Sequence, residues 1–215
     1  MTKRTTGPSA AFDPRSRRPG PVGTGLLVSA ALGLAAATVR GRGRVLDDRV
    51  FNLVNSEMEH PLLDRFFMGV TELGSLYASG AAGLTVLASG RRREALDALG
   101  AAAATWLIGQ WLKQAWRRNR PFQSDIPFRL LIGKPRGTSW PSSHPMVLLA
   151  FVTVAGRNLR LGKPVRTGLN GLAGLVAASR VYLGVHYPAD VAGGLLLGRA
   201  IADTWSRTVS PRAVG

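Results

Sequence analysis

Residues 179–190 read Ser-Arg-Val-Tyr-Leu-Gly-Val-His-Tyr-Pro-Ala-Asp, so that Arg180, His186 and Asp190 surround a predicted helix start. Proline disfavours helical geometry in the residue before it and suits the first turn of a helix, which predicts that a helix begins at Pro188. The Asp190 carboxylate then lies in the first turn and can reach back toward the His186 ring. A carboxylate in that position fixes the tautomer of a nucleophilic histidine and stabilises its charged form. The alternative is an aspartate that caps the helix beside a packed structural histidine.

An earlier segment, residues 113–121, is strongly basic and reads Lys-Gln-Ala-Trp-Arg-Arg-Asn-Arg-Pro. Lys113 and Arg120 are seven positions apart, so a continuing helix would place both on one face. Together with Arg180 they could surround the oxygens of a phosphate. The alternative is that such residues only anchor a helix end at lipid headgroups, which is the role we expect for Arg117 and Arg118.

A third segment, residues 141–144, reads Pro-Ser-Ser-His and precedes an apolar run. The N-terminus of a helix offers unpaired N–H groups and the positive end of the helix dipole, so Ser142 and the Ser143 amide are expected to bind an anion. An ordinary helix cap is compatible with this function. The chain has three histidines, His60, His144 and His186, and two of them lie in the segments described above.

Apolar stretches separate these segments. Residues 21–39 carry no charged side chain and residues 66–90 carry one, Glu72. Stretches of about 20 apolar residues match the hydrocarbon thickness of a bilayer. Four later runs reach that length if a flanking polar residue lies at the membrane edge. We therefore predict an all-α, integral membrane bundle of six helices, at residues 21–39, 66–89, 94–112, 143–158, 167–184 and 188–206.

The remaining residues form two predicted tails and basic loops. Residues 1–20 are basic and lack apolar periodicity, which indicates a disordered tail, and residues 207–215 form a C-terminal tail. Basic residues also cluster at 91–93 and 157–166. The positive-inside rule places these regions and both termini in the cytoplasm and the three anion-binding segments at the outer face of the plasma membrane. A cleaved signal peptide is an alternative interpretation of the first apolar stretch.

The charge balance points to a partner that carries phosphate. Lys and Arg number 28 against 12 Asp and Glu, a formal net charge of +16. Such a balance suits nucleic acid, anionic lipid or a phosphorylated substrate. The apolar stretches favour membrane lipids and a lipid phosphate over nucleic acid. The chain has no cysteine, which excludes disulfides and thiolate metal sites.

Together, the three segments resemble the signature of the type 2 phosphatidic acid phosphatase superfamily, which reads K-x6-R-P, then P-S-G-H, then S-R-x5-H-x3-D. Ten positions between residues 113 and 190 match this pattern. One position departs from it, because Ser143 stands where the family usually has glycine. The serine keeps a small residue with a free backbone N–H and changes the fit of the loop around the phosphate.

The resemblance implies a membrane lipid phosphatase that needs no metal and no cofactor. In that family mechanism His186 attacks phosphorus and becomes a phosphohistidine, Asp190 orients it, and His144 protonates the leaving oxygen and then activates water. The resemblance assigns phosphate binding to five further residues: Lys113, Arg120, Ser142, Ser143 and Arg180.

The expected substrate is a lipid phosphate or a prenyl diphosphate. We favour a prenyl diphosphate, because an outward-facing site suits the recycling of a carrier lipid. A phosphatidate- or phosphatidylglycerophosphate-type phospholipid phosphatase and a lipid phosphotransferase are alternatives within the same chemistry. A haloperoxidase is disfavoured, because such enzymes are usually soluble. Outside enzymes, the charge alone would fit a basic membrane lipid-binding protein. The sequence predicts no oligomeric state.

Overall fold

Eight α-helices make up most of the structure, a computed structural model that describes residues 20–39 and 41–210. No strand occurs in those two ranges. A five-residue π-helix, Leu53–Glu57, continues α2, and a short 3-10 turn, Pro121–Gln123, lies in the long loop after α5. The helices are α1 (Pro21–Ala37), α2 (Gly41–Asn52), α3 (Pro61–Glu72), α4 (Leu76–Ala88), α5 (Arg92–Ala115), α6 (Ser143–Asn158), α7 (Lys163–Tyr182) and α8 (Pro188–Thr208).

The all-α prediction is confirmed, but the structure does not show six helices. The predicted span 66–89 is divided between α3 and α4 by a turn at residues 73–75. Ser75 caps α4 there, since its Oγ accepts a hydrogen bond from the Ala78 amide at 3.1 Å. The segment between the predicted spans 21–39 and 66–89 contains α2, the π-helix and the start of α3. Glu72 was expected inside a span, yet it is exposed at the end of α3.

Helix α6 forms the centre of the bundle, and every residue from Pro145 to Gly156 is buried. Helices α5, α7 and α8 pack around it, and α1 packs on α8. The approach of α6 to α8 depends on small residues. A Cβ atom built on Gly198 would lie 2.4 Å from the Met146 carbonyl oxygen, and one built on Gly194 would lie 2.5 Å from that of Ser142. Glycine therefore lets the two backbones pack closely.

The bundle has two chemically different ends. One holds the ends of α5 and α7 and the starts of α6 and α8, which carry the three segments that are predicted to bind an anion. At the other end the start of α5 meets the end of α6, where Asn158 donates a hydrogen bond to Asp97 at 2.8 Å. The basic residues 91–93 and 157–166 belong to this second end.

Within residues 20–39 and 41–210, none of the helices taken singly has both the length and the apolar content of a membrane span. Only the pair Pro21–Ala37 and Gly41–Glu57, bent by 91° at the junction, reaches both together. The predicted N-terminal tail falls outside the described residues except for Gly20, as do residues 211–215 of the predicted C-terminal tail. Residues 207 and 208 belong to α8.

Candidate active site

A cavity of about 510 Å³ opens where the three sequence segments meet. Six of the eight predicted site residues line it: Lys113, Arg120, Ser143, His144, Arg180 and His186. The other two, Ser142 and Asp190, are fully buried and do not line the cavity. The structure therefore brings all three segments to one place, although they lie on four different helices and the loops between them.

His186 is held in one tautomer by its neighbours. Its Nε2 lies 3.2 Å from Nη1 of Arg120, and its Nδ1 lies 3.4 Å from Oγ of Ser139. A guanidinium group can only donate hydrogen bonds, so Nε2 must accept and the ring proton must lie on Nδ1. Burial, together with the nearby Lys113, Arg120 and Arg180, lowers the pKa of His186 well below its usual value. The ring is therefore neutral, with a lone pair on the nitrogen that faces the cations.

The turn that carries His186 requires glycine. Gly184 has a φ of +81°, which side-chain-bearing residues rarely adopt, and a Cβ there would lie 2.0 Å from the Arg129 carbonyl oxygen. The amides of Val185 and His186 both donate to the Arg180 carbonyl at 3.2 Å. The chain thus turns sharply after α7, and His186 is delivered into the cavity beside Arg180.

Asp190 is fully buried and accepts hydrogen bonds on both carboxylate oxygens. Its Oδ1 accepts from Nη1 of Arg118 at 2.8 Å, and its Oδ2 accepts from the Tyr187 amide at 2.9 Å and from the Ser139 hydroxyl. The distance from Oδ2 to Nδ1 of His186 is 3.6 Å. Asp190 therefore caps α8 and also lies next to the histidine, so the two interpretations of the sequence are compatible.

The three predicted cations reach the cavity from different elements. Helix α5 ends at Ala115, so Lys113 and Arg120 do not share a helix face as a continuing helix would require. Instead Arg120 is held by the carbonyls of Gly137 at 3.0 Å and Val185 at 2.9 Å, and Lys113 by that of Thr138 at 2.9 Å. Carbonyl oxygens carry no net charge, so they orient Lys113 and Arg120 without forming an ion pair with them.

The start of α6 presents polar groups that have no partner among the described residues. Ser142 occupies the N-cap position without a side-chain capping bond, and its amide donates to the Asp190 carbonyl at 3.0 Å. The Ser142 and Ser143 hydroxyls are buried without a hydrogen bond. The same holds for Nε of Arg180, which is on α7 and lines the same cavity. Buried polar groups normally have partners, so these groups fit a polar ligand bound at the helix start.

Three residues that were not predicted as site residues complete the site: Ser139, Arg118 and Asp47. Ser139 lies between His186 and Asp190, and Arg118 bridges Asp190 to Asp47 of α2. The expectation that Arg118 anchors a helix at lipid headgroups is wrong, because its side chain is only 10% exposed and pairs with two buried carboxylates. No spacing in the sequence connects Asp47 with Arg118, since they are separated by 71 positions.

Comparison with known proteins matches this arrangement of motifs. A sequence model described as the PAP2 superfamily matches residues 94–213, which include every residue lining the cavity. The chain belongs to the PAP2 superfamily. Ser139 and Arg118 fall inside the matched region, whereas Asp47 lies before it.

Two curated relatives from this superfamily are named phosphatases. The chain is 38% identical over 98 residues to an undecaprenyl-diphosphatase of Sulfolobus acidocaldarius, which covers 45% of this chain and 46% of the relative. It is 37% identical over 111 residues to a decaprenylphosphoryl-5-phosphoribose phosphatase of Mycobacterium tuberculosis, which covers 52% of this chain and 59% of the relative. The matches thus span about half the length of these relatives.

Two solved structures share the fold over most of the chain. A transmembrane PAP2-type phosphatidylglycerolphosphate phosphatase from Bacillus subtilis superposes with a TM-score of 0.68 at 25% identity, covering 86% of this chain and 94% of that one. LpxE of Aquifex aeolicus superposes with a TM-score of 0.64 at 27% identity, covering 74% of this chain and 93% of that one. The PAP2 fold therefore extends beyond the region matched by the sequence model.

Proposed function

We propose that this protein is a membrane lipid phosphatase that hydrolyses a lipid phosphate or prenyl diphosphate through a phosphohistidine on His186. One observation carries the proposal. A neutral histidine that lines the cavity, with its proton on Nδ1, has its unprotonated Nε2 beside Arg120, and Lys113 and Arg180 line the same cavity. Phosphoryl transfer is catalysed mainly by positioning and by electrostatic stabilisation of charge on the phosphoryl oxygens, and this cavity offers both.

In the first step, Nε2 of His186 forms a bond to phosphorus while the bond from phosphorus to the lipid oxygen breaks. His144, which lies in the first turn of α6 and lines the same cavity, donates its proton to the leaving oxygen. The negative charge of the bound phosphate favours the protonated form of His144 before this step. Asp190 and Ser139 stabilise the positive charge that develops on the His186 ring.

In the second step, water attacks phosphorus and the bond to Nε2 breaks, which releases inorganic phosphate. His144, now neutral, accepts the proton of the attacking water, so both histidines return to their starting states. The three cations and the start of α6, with the Ser143 amide and the Ser142 hydroxyl, supply the charge stabilisation that a metal ion supplies in other phosphatases. The reaction is proposed to be metal-independent for that reason.

The substrate is proposed to be a prenyl diphosphate with its headgroup at the outer face of the membrane. Two of the relatives carry names that refer to undecaprenyl or decaprenyl lipids. The structural neighbour from Bacillus subtilis is named for a phosphatidylglycerol phosphate, so a phospholipid phosphate is the second candidate. Superfamily membership argues against a non-enzymatic lipid-binding protein.

The test is phosphate release by purified protein in detergent from undecaprenyl diphosphate, undecaprenyl phosphate, phosphatidate and phosphatidylglycerol phosphate, each with and without EDTA. His186→Asn should lower kcat by about 10⁴-fold or more, as removal of a catalytic nucleophile does. The matched control is His60→Asn, since His60 caps α3 and asparagine is also a good cap. An acid-labile phosphoryl group should be trapped on the wild-type protein and be absent from His186→Asn.

Three results would contradict the proposal. Full turnover by His186→Asn would exclude the phosphohistidine. Reversible loss of activity in EDTA would exclude metal independence. A phosphatase that cleaves only the phospholipid members of the panel would replace the prenyl diphosphate with the second candidate.

A further inference from the structure

Helix α2 places a carboxylate deep in the bundle, next to the machinery described above. Asp47 is 5% exposed. Its Oδ1 accepts a hydrogen bond from the Ala189 amide at 2.9 Å, and its Oδ2 accepts one from Nη2 of Arg118. Ala189 belongs to the first turn of α8, directly before Asp190. Asp47 therefore contacts both the backbone that carries Asp190 and the side chain that binds it.

Arg118 transmits this contact to the Asp190 carboxylate. Its Nη1 donates to Oδ1 of Asp190 at 2.8 Å, and its guanidinium carbon lies 4.3 Å from the centre of the Tyr187 ring. One planar guanidinium thus binds a carboxylate at each of its two terminal nitrogens, while an aromatic face fixes its plane. The result is a continuous series of hydrogen bonds that runs from Asp47 through Arg118, Asp190 and Ser139 to His186.

We infer that Asp47 is a positioning residue for the nucleophilic histidine: through Arg118 and the Ala189 amide it fixes the Asp190 carboxylate that orients His186. This inference rests on the proposed function. It gives α2, which precedes the region matched by the superfamily, a defined part in the reaction. Asp47 touches neither phosphate nor His186, so its effect is exerted only through Asp190.

The negative charge of Asp47 is required, and an amide cannot replace it. Both carboxylate oxygens accept hydrogen bonds, one from Ala189 and one from Arg118. In Asp47→Asn, one of these two acceptors becomes an NH₂ donor and faces another donor. If the new NH₂ group faces Arg118, the guanidinium keeps Asp190 as its one remaining carboxylate partner and moves toward Asp190. Asp190 and the His186 ring then lose their fixed relation.

The experiment compares Asp47→Asn with Asp48→Asn in the full-length protein. Asp48 is the adjacent residue of α2 and pairs with Arg44 at 3.6 Å, and within the described residues the hydrogen bonds of the Asp190 carboxylate go to Arg118, Ser139 and Tyr187, so Asp48 is a matched control for the change of charge. Asp47→Asn should lower kcat by about 10- to 100-fold, the usual cost of losing a hydrogen-bonding group that orients a histidine without touching the substrate. Its KM should stay within about twofold of the wild-type value, because the phosphate-binding cations are untouched.

Two further measurements separate positioning from a loss of folded protein. The rate of phosphoryl transfer in a single turnover, with enzyme in excess over substrate, should fall in Asp47→Asn, while the melting temperature in detergent stays close to that of the wild-type protein. In an Asp190→Asn background, Asp47→Asn should lower kcat by no more than about twofold, because the residue through which it acts is already lost. A purely structural role would lower the melting temperature and would lower kcat equally in both backgrounds.

Arg118→Lys provides a second test if Asp47→Asn yields too little protein. A lysine keeps the charge but cannot bind two carboxylates in one plane, so the same loss of kcat at constant KM is expected. Wild-type kcat in Asp47→Asn or in Arg118→Lys, or equal effects in both backgrounds, would overturn the inference. If the wild-type protein released no phosphate from any member of the lipid panel, the proposed function itself would fail, and that result is distinct from these.

Discussion

Ser139→Ala tests whether Asp190 acts on His186 through the Ser139 hydroxyl. Ser139 is fully buried, donates its hydroxyl proton to Oδ2 of Asp190, and has its oxygen 3.4 Å from Nδ1 of His186. The direct distance between that carboxylate oxygen and the ring nitrogen is 3.6 Å, which is long for a hydrogen bond. The hydroxyl therefore connects the two groups, and alanine would leave a gap between them.

The size of the effect follows from the charge on the partners. A hydrogen bond to a charged group contributes about 1.5–3 kcal/mol. In the proposed mechanism the imidazole becomes positively charged only during phosphoryl transfer, so the bond is strongest in the transition state and its loss appears in kcat. Since about 1.4 kcal/mol corresponds to a tenfold change in rate, Ser139→Ala should lower kcat by about 10- to 150-fold.

The assay is phosphate release from the preferred lipid over a range of concentrations, so that kcat and KM are obtained separately. KM should be nearly unchanged. Ser79→Ala is the control, because Ser79 is also buried and its hydroxyl has no hydrogen-bond partner among the described residues. A kcat within about twofold of wild type for Ser139→Ala would show that Asp190 acts on His186 directly, and the reasoning above would be refuted.

Two other substitutions test the proposed phosphate-binding loop and the packing of the helices. Ser143→Gly should preserve or raise kcat/KM for phosphate release, because it restores the glycine of the superfamily signature and keeps the backbone N–H; a collapse would mean that the Ser143 hydroxyl itself binds the phosphate. Gly198→Ala should lower the melting temperature in detergent by a few degrees, because its Cβ would lie 2.4 Å from the Met146 carbonyl oxygen and overpacking costs about 1–3 kcal/mol. Gly171→Ala has open space and should be neutral or stabilising; equal melting temperatures for the two variants would contradict the packing argument.

The helices with strong local signals were predicted well from the sequence. Helix α6 spans the predicted residues 143–158, and α8 begins at Pro188 as expected. Both starts follow from local chemistry, a small polar segment before an apolar run in one case and a proline in the other. The division of the predicted span 66–89 has a weaker local signal, Gly74 followed by the capping residue Ser75, and these two residues also fit the interior of a span rich in small residues. At this turn Gly74 packs closely on α6, since a Cβ there would lie 3.0 Å from Cβ of His144.

Most of the residues predicted from the motifs line the cavity, whereas the residues behind them were not predicted. Residues 41–52 are rich in charged side chains, and the sequence does not show which groups pair with them. The segment therefore resembles an exposed loop. Asp47 is buried because Arg118 and the Ala189 amide satisfy it, and both lie far along the chain. Ser139 precedes the Pro-Ser-Ser-His segment and has no feature of its own that distinguishes it from other loop serines.

Contacts from the first third of the chain support the site at three separate points. Asp47 binds Arg118, the Thr71 hydroxyl accepts from Nη1 of Arg180 at 2.7 Å, and Gly74 packs against His144. Each of these residues precedes the region matched by the superfamily, and each touches a residue inside it. The cavity-lining residues therefore supply the proposed chemistry, while α2, α3 and the turn after α3 contact Arg118, Arg180 and His144, which are the proposed positioning arginine, phosphate-binding arginine and general acid. It follows that residues 94–213 alone, even if folded, would keep the motifs but lose the geometry on which the proposed mechanism depends.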